Sequence, residues 1–273
     1  MTSPRTQGFV SVRYGGQLFW TSAGSGDPLV LIHGGHFDHR IWEQQIDAFS
    51  PYYRVIAYDV RGFGKSSPQL KPHQAHVDLC ELLHGLGIAG PVHLVGLSLG
   101  GRIAVDFALT FPHLTRSLVL AAPGLSGWNW DRPDWQNVMS AMENLEDKTW
   151  ARIAVAEAWL ASPFIAPAMG QPHLVPKLRR WGRENGDSLF RDDDQFETTL
   201  DPPAICRLKE IKVQTLLMIG PRDVLHSHQI VSTLNASVST SIRIDFDKIG
   251  HMINLEDPDR FNREVLAFLK TVV

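Results

Sequence analysis

Cysteine is scarce in this chain. Only Cys80 and Cys206 occur among 273 residues, far apart and outside any Cys-x-x-Cys pair, which argues against a disulfide framework or a thiolate metal site and fits a reducing compartment. An excess of either charge is lacking too. With 26 Lys and Arg against 29 Asp and Glu the net charge is −3, which makes no electrostatic case for a nucleic acid or a membrane surface as partner. No stretch reaches the ~18 uninterrupted apolar residues of a membrane span, and the opening MTSPRTQGFVSV has no apolar run behind a charged start. A cytoplasmic protein without a cleaved signal is expected, with small and mostly neutral molecules as partners. Repeats and low-complexity tracts are absent.

What is present is a 44% hydrophobic chain long enough for one large α/β domain with an inserted piece. Short apolar runs bounded by Gly, Pro or Asp recur: PLVLIHGG at 28–35, YRVIAYDVRGFG at 53–64, PVHLVGLS at 91–98, SLVLAAPG at 117–124 and VQTLLMIGPRD at 213–223. Helical lengths at 38–49, 73–87 and 99–111 separate the first four, the alternation of a mostly parallel sheet covered on both faces. Residues 9–24 read as an antiparallel edge hairpin around Gly15-Gly16, SIRIDF at 241–246 as a last strand and 258–271 as a closing helix. Between about 125 and 210 the strand signal gives way to helical segments (DWQNVMSAMENL, KTWARIAVAEAWLA, HLVPKLRRWGREN) and a concentration of tryptophan. The expected organisation is a core of residues 1–124 and 211–273 with a helical cap, or lid, at 125–210.

Ligands of open α/β sheets bind beyond the carboxyl ends of the strands. There, VHLVGLSLGG sets Ser98 where a strand turns sharply into a helix, with Gly96 and Gly100 leaving room for the two to approach. The bare Gly-x-Ser-x-Gly pattern arises by chance in about one such chain in ten, so the setting has to carry the case. A serine hydroxyl is a weak nucleophile that needs a base and a carboxylate to orient the base. His251 in DKIGHMINLEDP, after the last strand, is the base candidate, and Asp223 in LLMIGPRDV is the acid. Their chain order, Ser98 then Asp223 then His251, is the one this type of sheet produces.

These residues, with His33-Gly34-Gly35 and DVRGFGKS at 59–66, make the chain resemble the α/β-hydrolase superfamily over nearly its whole length. The resemblance implies a mostly parallel eight-stranded sheet with helices on both faces and an inserted helical lid. It also implies an oxyanion hole from the N–H groups of Leu99 and Gly35, an acyl-enzyme on Ser98, and no cofactor or metal. The GLSLGG elbow looks like that of enol-lactonase-type and small carboxylesterase members, so a carboxylic ester or lactone with apolar parts is the expected substrate. Dehalogenase and epoxide hydrolase relatives carry aspartate where this chain has Ser98. Two other functions use the same framework: carbon–carbon bond hydrolysis of a vinylogous diketone, and a weakly catalytic small-ligand receptor.

Other motifs have plainer readings. RGFGKSS at 61–67 ends like a phosphate loop, but the first glycine of that pattern would fall on Asp59, so a tight turn is expected. His226 and His228 form a pair without a third metal ligand. His36 either touches substrate or stabilises its turn. Trp128 and Trp130 either line an apolar pocket or pack the lid. The charge runs KLRRWGR and RDDDQ read as solvated faces, with Arg179, Arg180 or Arg183 as alternative anion clamps, and Asp201, Asp245 and Asp247 read as surface residues.

Overall fold

The computed structural model describes residues 4–130, 148–185 and 196–272. The hairpin forms as β1 (Arg5–Val12) and β2 (Gly16–Ala23), and the apolar runs become β3 (Pro28–Ile32), β4 (Arg54–Tyr58), β5 (Val92–Leu97), β6 (Thr115–Ala121), β7 (Gln214–Ile219) and β8 (Ser241–Asp245). They join in one sheet ordered β1-β2-β4-β3-β5-β6-β7-β8. Only the β1–β2 and β2–β4 pairings are antiparallel. Leu29 to Ile32, Leu94, Val95 and Leu118 to Ala121 are fully buried, as expected of strands covered on both faces. The run at 53–64 does not stay extended. It leaves the sheet at Tyr58 and then turns through Gly62 and Gly64, which both take positive φ.

The α-helices among the described residues are α1 (Glu43–Phe49), α2 (Ala75–Gly85), α3 (Leu99–Thr110), α4 (Lys148–Leu160), α5 (Ala166–Met169), α6 (Val175–Glu184), α7 (Leu225–Ser237), α8 (Ile253–Glu256) and α9 (Pro258–Leu269), with short 3₁₀ turns between. The helix expected over 38–49 opens with a 3₁₀ turn at His39–Trp42, because the Asp38 carboxylate captures the Arg40 N–H at 3.0 Å. α9 shows how local sequence makes an element here: Asp257 caps it, Pro258 occupies its first position, and Phe261, Val265, Phe268 and Leu269 form its buried stripe. α1 packs on α9, while α2 and α3 pack on each other.

Register decides where the chemistry sits. Ile32 pairs with Tyr58 and with Gly96, Gly96 with Leu120, and Leu120 with Leu217, so the parallel strands end at nearly one level. The loops after β3, β5, β7 and β8 therefore open on one edge.

The chain between β6 and β7 carries α4, α5 and α6, and it is anchored to α3 on both sides of them. Leaving β6, Ser126 donates its hydroxyl to Asp106 at 2.6 Å; returning, Glu197 accepts from Arg102 at 2.6 Å. His73 and Glu197 add a backbone bridge. Farther in, Asn185 at the end of α6 donates to Asp38 at 2.7 Å and accepts from the Gly64 N–H at 2.9 Å, and Glu184 pairs with Arg40. The helix expected from DWQNVMSAMENL and the acidic run at 191–195 lie outside the described residues.

Candidate active site

Ser98 stands between β5 and α3 with φ 54° and ψ −113°, in the left-handed half of backbone space that a side chain rarely enters. Its backbone is held on both sides. Its N–H donates to Ala121 at 3.0 Å, and its carbonyl accepts from Arg102 at 3.1 Å and Gly124 at 2.8 Å. The glycines around it are required by contact. A Cβ on Gly96 would lie 2.3 Å from the Gly100 oxygen, one on Gly100 2.1 Å from the Ile32 oxygen, and one on Gly101 2.6 Å from Pro123. The turn thus lifts Ser98 out of the strand onto the start of α3, whose first N–H groups have no acceptor within the helix.

The loop after β3 runs alongside. A Cβ on Gly34 would be 3.5 Å from the Ser98 Cβ, whereas Gly35 faces open space. His33 is buried and serves the loop: its Nε2 accepts from the Val60 N–H at 2.9 Å, which leaves Nδ1 to donate to the Gly34 carbonyl at 2.7 Å. Burial lowers its pKa, in keeping with a neutral ring. His36 has φ 63° and sets its ring 4.6 Å from that of Trp159, in a T-shaped contact.

On the other side the structure brings Asp223 and His251 together. His251 Nδ1 lies 2.9 Å from both carboxylate oxygens of Asp223, whose side chain is wholly buried. An Nδ1–H donated there leaves Nε2 with its lone pair, the tautomer a general base requires. The two loops are locked to each other, since Arg222 N–H donates to Ile249 at 3.0 Å and a Cβ on Gly220 would fall 2.5 Å from the Gly250 oxygen.

Aromatic rings from α4 and the chain after it stand over this pair. Phe164 meets the His251 ring edge-on at 4.9 Å and stacks on Trp159 at 5.8 Å, while Trp130 lies 6.2 Å from Phe164. Of the two tryptophans singled out from sequence, Trp130 joins these rings. Trp128 turns to α7, where its indole N–H donates to His226 Nδ1 at 3.2 Å and its ring borders an open groove with His228, Gln229, Ser232 and Thr233. Arg179, Arg180 and Arg183 are each more than half exposed and pair with Glu157 or Glu184. They do not converge on Ser98 as an anion clamp would. RGFGKSS forms the expected tight turn, wound around Asp59, which accepts from the Lys65 N–H at 2.8 Å and, through its carbonyl, from the Ser66 hydroxyl at 2.5 Å.

Among the described residues one group could present metal-ligand atoms together, Asp38, His39 and Asp59. These carboxylates are already engaged: Asp38 by Arg40 and Asn185, Asp59 by His39 and Lys65. Three residues over or beside the site were not foreseen. Trp159 and Phe164 arrive from a distant part of the chain with no local signal. Glu256, five residues after His251, reads as one more acidic residue ahead of a helix.

Residues 29–264 match the profile of the alpha/beta hydrolase family. The chain belongs to that family. Among curated proteins it is similar to a carboxylesterase of Bacillus subtilis, 26% identical over 96% of this chain and 86% of that one. It is also similar to a 2-hydroxy-6-oxononadienedioate/2-hydroxy-6-oxononatrienedioate hydrolase of Burkholderia vietnamiensis, 31% identical over 98% and 97%. Among solved structures the enol-lactonase of Burkholderia xenovorans superposes with a TM-score of 0.78 at 23% identity, over 96% of this hydrolase and 100% of that chain, a likeness of fold. No helix among the described residues is long and apolar enough to cross a membrane.

Proposed function

We propose that this hydrolase cleaves carboxylic esters or lactones with apolar groups through an acyl-enzyme on Ser98. The observation that carries the reading is the Asp223–His251 pair, held at 2.9 Å beyond the same sheet edge as a serine in strained backbone at the head of a helix. Ser98 Oγ attacks the carbonyl carbon and passes its proton to His251 Nε2, and Asp223 steadies the imidazolium. The N–H groups of Leu99 and Gly35 receive the negative charge that develops on the carbonyl oxygen. His251 returns the proton to the departing alcohol, and water then attacks the acyl-enzyme with the same base. Residues 125–210 act as the cap, and Trp130, Trp159, Phe164 and His36 give the substrate an aromatic wall.

A fluorophosphonate probe, with p-nitrophenyl esters of graded chain length and a lactone series, tests this. Wild type is expected to label and turn over, and Ser98→Ala to lose both, with kcat down by at least ~10³-fold. Labelling that persists in Ser98→Ala removes the nucleophile assignment. The similarity to the Burkholderia vietnamiensis hydrolase supports a second reading, hydrolysis of a carbon–carbon bond in a vinylogous diketone. Turnover of such a diketone while the ester and lactone panels stay inert would establish that reading over the first.

A further inference from the structure

His251 is held at its ring by Asp223, but a ring is only as well placed as the backbone that carries it. On both sides of His251 the backbone runs to one carboxylate. The Gly250 N–H donates to Glu256 Oε2 at 2.8 Å and the Met252 N–H to Glu256 Oε1 at 3.0 Å. Glu256 belongs to α8, a single turn that bends the chain back over the loop, and it is nearly as buried as the catalytic pair. The segment assigned as cap rests on the same spot. A Cβ on Gly250 would lie 2.5 Å from Pro167, and Gln171 donates to the Glu256 backbone carbonyl at 3.3 Å.

We propose that Glu256 is a positioning residue for His251: its carboxylate clamps the two flanking N–H groups and sets a second negative charge beside the imidazole. This rests on His251 being the catalytic base. Two consequences separate the clamp from ordinary loop packing. First, both oxygens must accept. A glutamine of the same shape has one acceptor oxygen and one NH₂, so it turns a donor against the Gly250 or Met252 N–H and releases one side of the loop. Second, the charge favours imidazolium. The charged groups that Glu256 feels are His251, which draws its carboxylate toward ionisation, and Asp223, which opposes that, while burial is the larger influence and raises its pKa. Removing the charge therefore takes away a partner of the imidazolium form and is expected to move the acid limb of kcat/KM to lower pH.

The experiment compares wild type, Glu256→Gln and Glu256→Asp on one p-nitrophenyl ester, with folded active sites counted by fluorophosphonate stoichiometry. Glu256→Gln is expected to lower kcat per labelled site by about 10- to 100-fold, with KM within about twofold and the acid limb shifted down. Glu256→Asp keeps the charge but loses reach, so kcat falls while the acid limb stays at its wild-type pH. The proposal is overturned if both variants keep wild-type kcat per labelled site, or if the acid limb of Glu256→Gln does not move. Failure of the underlying reading shows differently, as ester turnover or labelling that survives Ser98→Ala.

Discussion

The loops that carry Ser98, Asp223 and His251 and the segment between β6 and β7 meet over the same strand ends, yet they are held by different means. The loops are tied largely through main chain, Ser98 to Ala121, Arg102 and Gly124 and Arg222 to Ile249, with the Glu256 side chain on Gly250 and Met252 as the exception. The β6–β7 segment is seated mostly by side chains, as in Glu184 on Arg40, Asn185 on Asp38, Glu197 on Arg102 and Phe164 on His251. Main-chain ties persist when side chains change, whereas side-chain ties are lost one substitution at a time. The backbone at Ser98 is thereby insulated from sequence change, whereas the seat of the β6–β7 segment and the Glu256 clamp on the His251 loop are open to it.

The sharpest way to break the contrast is inside the loops. Asp223→Asn keeps the shape of the acid but favours the wrong histidine tautomer, so kcat is expected to fall about 10³- to 10⁴-fold with the circular dichroism spectrum unchanged. A kcat within tenfold of wild type would move the acid elsewhere.

A second expectation concerns what acid does to the core. Burial lowers the pKa of His76 and of His93 from 6.5 to about 4, so each binds a proton more readily unfolded than folded between those values, and stability falls as pH drops through that window. Asp106 works in the opposite sense. Burial raises its pKa from 3.8 to about 6, so the folded state takes up the proton first and gains stability on acidification. His33 acts with the two histidines and Glu256 with the aspartate, so three groups outweigh two, and urea titrations near pH 5.5 are expected to show unfolding free energy dropping by about 1 kcal/mol per pH unit of acidification. A flat profile from pH 6.5 to 4.5 would contradict this.

The smallest effect belongs to the aromatic wall. Phe164→Ala is expected to raise KM for an aromatic or long-chain ester about three- to tenfold, with little change in kcat or melting temperature. A large loss of kcat would show that the ring holds His251 rather than the substrate.

Most of the fold was legible because its signals are local. Apolar runs of strand length, the glycines of the elbow and the Asp257-Pro258 start of α9 each dictate structure within a few residues, and the eight strands and closing helix followed. Ser98, Asp223 and His251 could be picked out because each lies in the turn or loop that follows a strand, where register brings the loops to one edge. Phe164, Trp159 and Glu256 escaped notice for complementary reasons. The first two act through contacts far along the chain, for which no periodicity exists. Glu256 is close in sequence, but its role depends on α8 folding back over the loop, and an acidic residue before a helix reads equally well as a solvated one. Trp128 and Trp130 are only two residues apart and both meet His226 of α7, and sequence could not tell that Trp130 also reaches Phe164 while Trp128 borders the open groove.

Ser126, just after β6, and Glu197, on the way back to β7, both end on α3, through Asp106 and Arg102. That makes the intervening stretch a cassette with a fixed socket. Any replacement that keeps a hydroxyl at its first join and a carboxylate at its last meets partners already in place on the helix that starts beside Ser98. A scaffold of this kind can exchange one contiguous piece of chain without rebuilding the helix that receives it.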